Sequence, residues 1–154
     1  MMSSIKKIIL GCGIFLAVLV VAGLYKVLLL DRARSKTQVA HIGSADFNIE
    51  IVTNPIAQAR GLSGRESLPE KNGMLFIFSG PAKRGFWMPD MHFSLDIVWI
   101  KGDAIVGIAE NVPPAGFGEP EIYYPPEEID KVLEINAGSA KKYALKIGDI
   151  LVLE

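Results

Sequence analysis

The stretch Arg84-Gly85-Phe86-Trp87-Met88-Pro89-Asp90-Met91-His92-Phe93-Ser94-Leu95-Asp96-Ile97-Val98-Trp99-Ile100 decides how this chain folds. Both tryptophans fall in it, with two of the seven phenylalanines and one of the two histidines. Its second half reads as a strand. Leu95, Ile97 and Trp99 alternate with Asp96, Val98 and Ile100, the two-residue period of a chain whose side chains point to opposite faces. Both sets are apolar after Asp96, so the strand is covered on both sides. Asp96 then sits at a buried strand start, where an ionised carboxylate is costly unless donors surround it. In one reading Asp96 accepts hydrogen bonds from backbone N–H groups or from Arg84 and holds a turn. In the other, Asp90, His92 and Asp96 line a pocket as metal ligands or an acid–base set, although their D-x-H-x-x-x-D spacing matches no dense metal-binding pattern.

Working outward, Lys101-Gly102-Asp103 is a tight hairpin turn into a second arm, Ala104–Ala109. Upstream, Met74–Phe78 is wholly apolar between Gly73 and Ser79-Gly80-Pro81, a buried strand. Phe47, Ile49 and Ile51 alternate with Asn48, Glu50 and Val52 in a half-buried one. Between these two, Thr53-Asn54-Pro55 starts a short helix, with Asn54 as cap, Pro55 in the first turn and Gly61 placed to end it. Arg60 near its end reads as an anion-binding residue or as the partner of a carbonyl or carboxylate. Ser63 to Asn72 is polar loop or a single helical turn, because Gly64 and Pro69 forbid anything longer.

Val112 to Pro126 carries five prolines and two glycines, a density that no regular element survives. With Phe117, Tyr123 and Tyr124 in it, this loop serves either as a binding lip or as a cover over a sheet edge. Val132, Glu134 and Asn136 alternate with Leu133 and Ile135, a strand with one polar face. Ala137–Tyr143 makes a short helix with Ser139 as cap and Lys141 and Lys142 suiting its C-terminal dipole. Ile150–Leu153 is a terminal strand. The expected fold class is mainly β (α+β): a single compact β-barrel-like domain, residues 45–154, with one or two short helices.

What precedes the domain differs in composition. After a short tail, residues 1–7, the chain is almost entirely apolar from Ile8 to Leu30. That is long enough to cross a hydrocarbon core of roughly 30 Å as a helix. A cleaved signal peptide is the alternative, with Lys6 and Lys7 as its basic region, but the apolar run continues past the weak Val20-Val21-Ala22 cleavage site. Gly11-Cys12 does not read as a lipoprotein site, because bulky Leu10 precedes it and the apolar run continues. Residues 8–30 are therefore expected to be one N-terminal transmembrane helix, an uncleaved signal anchor, and residues 31–44 a polar tether. Lys26 near the end of the span and Arg32, Arg34 and Lys36 after it argue for a cytoplasmic domain on the positive-inside count. The signal-like N-terminus argues for the opposite side, and the reading adopted is a single-pass membrane protein with an extracytoplasmic C-terminal domain.

Several segments resemble the DUF192 (UPF0127) family of uncharacterised bacterial and archaeal proteins over residues of about 47–154. They are Ala59-Arg60-Gly61-Leu62, Gly73-Met74-Leu75-Phe76-Ile77-Phe78, Phe86-Trp87-Met88, Leu95-Asp96-Ile97, Glu110-Asn111-Val112-Pro113-Pro114, Leu133-Glu134-Ile135-Asn136-Ala137-Gly138 and Ile147-Gly148-Asp149. The resemblance implies a compact, mostly β domain, often behind a signal peptide or membrane anchor, and no established activity. This chain departs from the family pattern at Pro89-Asp90-Met91, where Lys-Asn-Thr is usual. It also lacks the cysteine that many members carry after the Pro-Pro pair.

Composition narrows the function classes. From residue 41 onward, ten lysines and arginines stand against sixteen carboxylates, a net charge of −6. With no basic stripe interleaved with aromatics, nucleic acid is not an expected partner. No Gly-x-Ser-x-Gly elbow, phosphate-cradling glycine loop or cysteine nucleophile occurs in the domain, so no catalytic residue, metal or cofactor is assigned. The sequence points to a ligand- or partner-binding module in the cell envelope, held by its N-terminal helix at the membrane, with a glycan, a peptide or an envelope protein as partner. Candidate ligand-binding residues are Arg84, Trp87, Met88, Asp90, Asp96, Glu110 and Phe117: aromatic faces to stack on a ring, charges to fix its orientation. The alternative is a small hydrolase or metal-dependent enzyme using carboxylates near Asp96.

Overall fold

A computed structural model describes residues 19–23, 37–116 and 119–154. Residues 19–23 are helical, and among the described residues no helix is long and apolar enough to cross a membrane. The rest of the expected 8–30 anchor, the 1–7 tail, residues 31–36 of the tether and Phe117 lie outside the described residues.

Among the described residues the domain is one seven-stranded sheet with two short helices. The strands are β1 (Thr37–Ile42), β2 (Ala45–Val52), β3 (Asn72–Ala82), β4 (Leu95–Lys101), β5 (Ala104–Val112), β6 (Ile129–Asn136) and β7 (Leu151–Leu153); the helices are α1 (Pro55–Arg60) and α2 (Ser139–Lys142). Their order across the sheet is β5-β4-β6-β3-β2-β1-β7. All neighbours are antiparallel except β2 and β3. That parallel pair needs a crossover, which carries α1. The outer strands curl together at one end, where Ala104 bridges Ile150. There Ile105 N–H donates to the Asp149 carbonyl (2.9 Å) and Leu151 N–H to that of Asp103 (2.8 Å). The result is a half-barrel.

Both faces of the sheet are buried, as the alternation in β4 requires. The inner face packs Phe47, Ile49, Leu75, Val98, Ile100, Leu133 and Ile135 with Leu145 and Leu151. The outer face carries Met74, Phe76, Ile97, Trp99 and Val132 under Leu62, Leu68 and Met88. Two apolar faces on one sheet need two covers, and the outer cover is where the domain builds its cavity.

Helix α1 starts and stops as its residues dictate. Asn54 Oδ1 accepts the Ala57 N–H at 2.8 Å, Pro55 occupies the first turn, and Gly61 at φ 51° ends it. Two expectations need correction. The tether ends earlier than residue 44: β1 begins at Thr37 and pairs with both β2 and β7. Ala40 and Ile42 lie fully buried on the inner face, but so short an alternation built around an alanine gives little signal. Ser139 is not the cap of α2 either. Gly138 occupies that position in a left-handed conformation, and no local side chain caps the helix. The acceptor comes from β4 instead.

Candidate functional site

That acceptor is Asp96, fully buried on the inner face. Its Oδ1 accepts N–H groups from Asn111 (2.8 Å) and Gly138 (3.1 Å), and its Oδ2 accepts that of Ala140 (2.8 Å). One carboxylate thus ties a bulge in β5, where Asn111 takes φ 54°, to the start of α2. Of the two readings of Asp96, the geometry is the turn-holding one, with backbone donors and without Arg84.

On the outer face, residues 86–90 form a cross-piece stitched to its neighbours through backbone groups. Phe86 and Tyr123 exchange both hydrogen bonds, at 2.8 and 2.7 Å, and the Met88 carbonyl accepts Ala115 N–H at 3.0 Å. On the other side the Pro89 carbonyl accepts Ser63 Oγ–H at 2.8 Å, and the Asp90 carbonyl accepts Gly64 N–H at 2.9 Å. The proline-rich loop and the turn after α1 are thereby joined into one roof. The loop covers the outer face, and its Pro126 lies against Gly107 of the outer strand β5. Ile122 and Tyr124 from the same loop stay exposed over Gly85, beside the cavity.

Between roof and sheet lies a cavity of about 430 Å³, within the size range of small-molecule sites. Phe76, Phe78, Phe86, Leu62, Met88, Met91 and Leu95 make its walls. Phe86 is fixed edge-on between Phe76 (5.5 Å between centroids) and Trp99 (5.3 Å). Trp99 is core, whereas Trp87 lines the cavity and remains 52 % exposed. Arg84 lies over the Phe78 ring at 4.3 Å, and its Nη1 donates to the Ile129 carbonyl at 3.3 Å. Arg60, exposed in the last turn of α1, also lines the cavity, and its side chain makes no hydrogen bond or ion pair among the described residues. Gln58 is anchored, its Nε2 donating to the Ile77 carbonyl at 2.8 Å.

Glu134 lines the same cavity from the sheet. In register it lies opposite Met74 of β3 on one side and Ile97 of β4 on the other. It is 6 % exposed, and among the described residues no donor reaches its carboxyl group. Burial alone pushes that group up to about 8. At neutral pH it holds a proton, so it can both donate O–H and accept at its carbonyl oxygen. The expected polar face of this strand is therefore a buried one. β6 is central in the sheet, and the face that Val132 and Glu134 share is roofed.

The remaining candidates sit elsewhere. Asp90, at φ 50°, and Glu110, beside the β5 bulge, are exposed, as is His92. Asp90 and Glu110 do not line the cavity, and Asp96 is on the opposite face of the sheet. Among the described residues no three His, Cys, Asp or Glu side chains group to hold a metal. Of the seven candidates, Arg84, Trp87 and Met88 meet at the cavity.

The family profile of DUF192, described as uncharacterized ACR, matches residues 37–153. The chain belongs to the DUF192 family. Its β1 start coincides with the first residue of that match. This DUF192 domain is similar in structure to a Sinorhizobium meliloti 1021 protein proposed to be a transcription regulator. That likeness has 27 % identity and a TM-score of 0.71, over 77 % of this chain and 95 % of the other. It is also similar to a protein of unknown function from Novosphingobium aromaticivorans DSM 12444, at 30 % identity and a TM-score of 0.67, over 75 % and 83 % of the two chains. No curated protein matches this DUF192 chain.

Proposed function

We propose that this domain is a binding module of the cell envelope, held at the membrane by the N-terminal apolar stretch, with its ligand in the cavity over β3, β4 and β6. The observation that carries this reading is Glu134, an acid buried in an apolar cavity with no partner among the described residues. Such a group weakens the fold and nothing in the packing uses it, which is the signature of a residue kept for a ligand. Arg60 and Arg84 at the same cavity, with the exposed ring of Trp87, supply charge and stacking surface for a sugar, a peptide or a small organic acid. Binding is favoured over catalysis, because both oxygens of Asp96 are engaged by backbone donors and no second carboxylate lines the cavity. The net charge of −6 from residue 41 onward disfavours nucleic acid as the ligand.

The test is a thermal-shift screen of the full chain against peptidoglycan fragments, oligosaccharides, short peptides and organic acids. A ligand that binds only the folded state raises the melting temperature. The expected hit loses its shift in Arg84→Ala and Trp87→Ala chains that still melt cooperatively. A hit unaffected by either substitution places the site away from this cavity and overturns the proposal.

A further inference from the structure

The cavity has two chemically distinct ends. At the sheet, Glu134 is 6 % exposed and unpartnered, enclosed by Phe76, Leu95 and the flanking Met74 and Ile97. On the α1 and roof side stand two arginines, Arg84 spread over Phe78 and Arg60 with no partner among the described residues. The ends are set apart along β6: Arg84 is bonded to the Ile129 carbonyl, and Glu134 stands five residues further along the same strand. Resting on the binding reading above, we infer that the ligand is an organic anion with an apolar body and a neutral acceptor oxygen at its far end, the anionic group held by Arg60 and Arg84 and the oxygen by Glu134.

Each part follows from the chemistry of its surroundings. Guanidinium groups present paired N–H donors that match a carboxylate or phosphate, and Arg84 is pre-set by its stacking on Phe78. The walls between are aromatic and aliphatic, so the body that fills them is apolar. At the floor a second anion is excluded by the lack of any donor besides the carboxyl itself. A cation would have to pass both arginines. A carbonyl or hydroxyl oxygen accepts the Glu134 O–H and removes the cost of leaving it unpaired.

Three probes of one shape separate the possibilities by calorimetric titration of the full chain: 4-acetylphenylacetate, 4-isopropylphenylacetate and 4-(aminomethyl)phenylacetate. At pH 6.5 the acetyl compound is expected to bind about tenfold more tightly than the isopropyl one, the worth of one buried hydrogen bond. At pH 9 that advantage disappears, because ionised Glu134 has no proton to give. Glu134→Gln keeps the advantage at both pH values through its amide N–H, while Glu134→Leu abolishes it and leaves the isopropyl compound bound. Arg84→Ala weakens all three together. Tightest binding by the aminomethyl compound, or no advantage for acetyl over isopropyl, overturns this ligand class while leaving the cavity a binding site. Failure of every probe to bind the folded chain overturns the ligand class, and failure of the broad screen as well overturns the binding reading beneath it.

Discussion

Asp96 and Ala140 are 44 residues apart in the chain, yet the Ala140 N–H donates to Asp96 Oδ2 at 2.8 Å. With the bonds from Gly138 and Asn111, this carboxylate joins three elements in the interior. Asp96→Ala strands three backbone donors without acceptors. The expected loss is on the order of 3 kcal/mol or more, read as a lower urea midpoint. Chains that remain folded should bind cavity ligands with unchanged affinity, since Asp96 faces the other side of the sheet.

Glu134 makes stability depend on pH in an unusual direction for a carboxyl group. Its folded value is raised from 4.5 to about 8, so across that window the folded chain holds a proton that the unfolded chain has released. Stability is therefore highest below pH 4.5, as far as this group decides, and falls as pH rises toward 8, by on the order of 4 kcal/mol. Urea titrations from pH 5 to pH 8 should show this decline in the wild-type chain and a flatter profile in Glu134→Leu.

A methyl group added at Gly73 would stand 2.9 Å from the Glu134 carbonyl oxygen and 3.0 Å from Ile135 Cγ2. The carbonyl is held in the β3–β6 ladder and cannot withdraw. Gly73→Ala is expected to cost roughly 1–3 kcal/mol. A melting temperature within a degree of wild type would show that β3 and β6 separate more easily than their register implies.

His41 of β1 lies with Nδ1 2.6 Å from Asp46 and Nε2 3.2 Å from Glu154. The hydrogen bond to Asp46 first, and the Glu154 carboxylate alongside second, raise its pKa above 6.5. The stabilisation it brings is complete below the unfolded value and is lost as pH rises through the folded one. An NMR titration of the imidazole should give a midpoint above 6.5 that moves down in Asp46→Asn.

The parts of the fold that were legible in sequence are those fixed by local chemistry. Asn54, Pro55 and Gly61 bound α1 by short-range rules, and the alternation in Leu95–Ile100 announced a strand covered on both faces. The cavity was legible only in part. Arg84, Trp87 and Met88 belong to it because the whole 84–91 stretch forms its roof. Glu134 looked like a solvent-facing residue because its strand alternates cleanly. Only the sheet order, which puts β6 between β3 and β4, removes the solvent. Asp96 was legible in kind: a carboxylate at a buried strand start needs donors around it, and backbone N–H groups supply them, but which ones, from Asn111, Gly138 and Ala140, only the tertiary structure shows. The short alternation around Ala40 and Ile42 was hidden by its small residues.

Strand β1, flanked by β2 along six paired positions and by β7 along three, also sets how the domain takes mechanical load. Tension arriving through the residues before Thr37 runs along a strand laddered on both sides, with hydrogen bonds perpendicular to the pull. They share the force in shear instead of opening one after another. A domain gripped in this way keeps its strand register under a pull applied at Thr37.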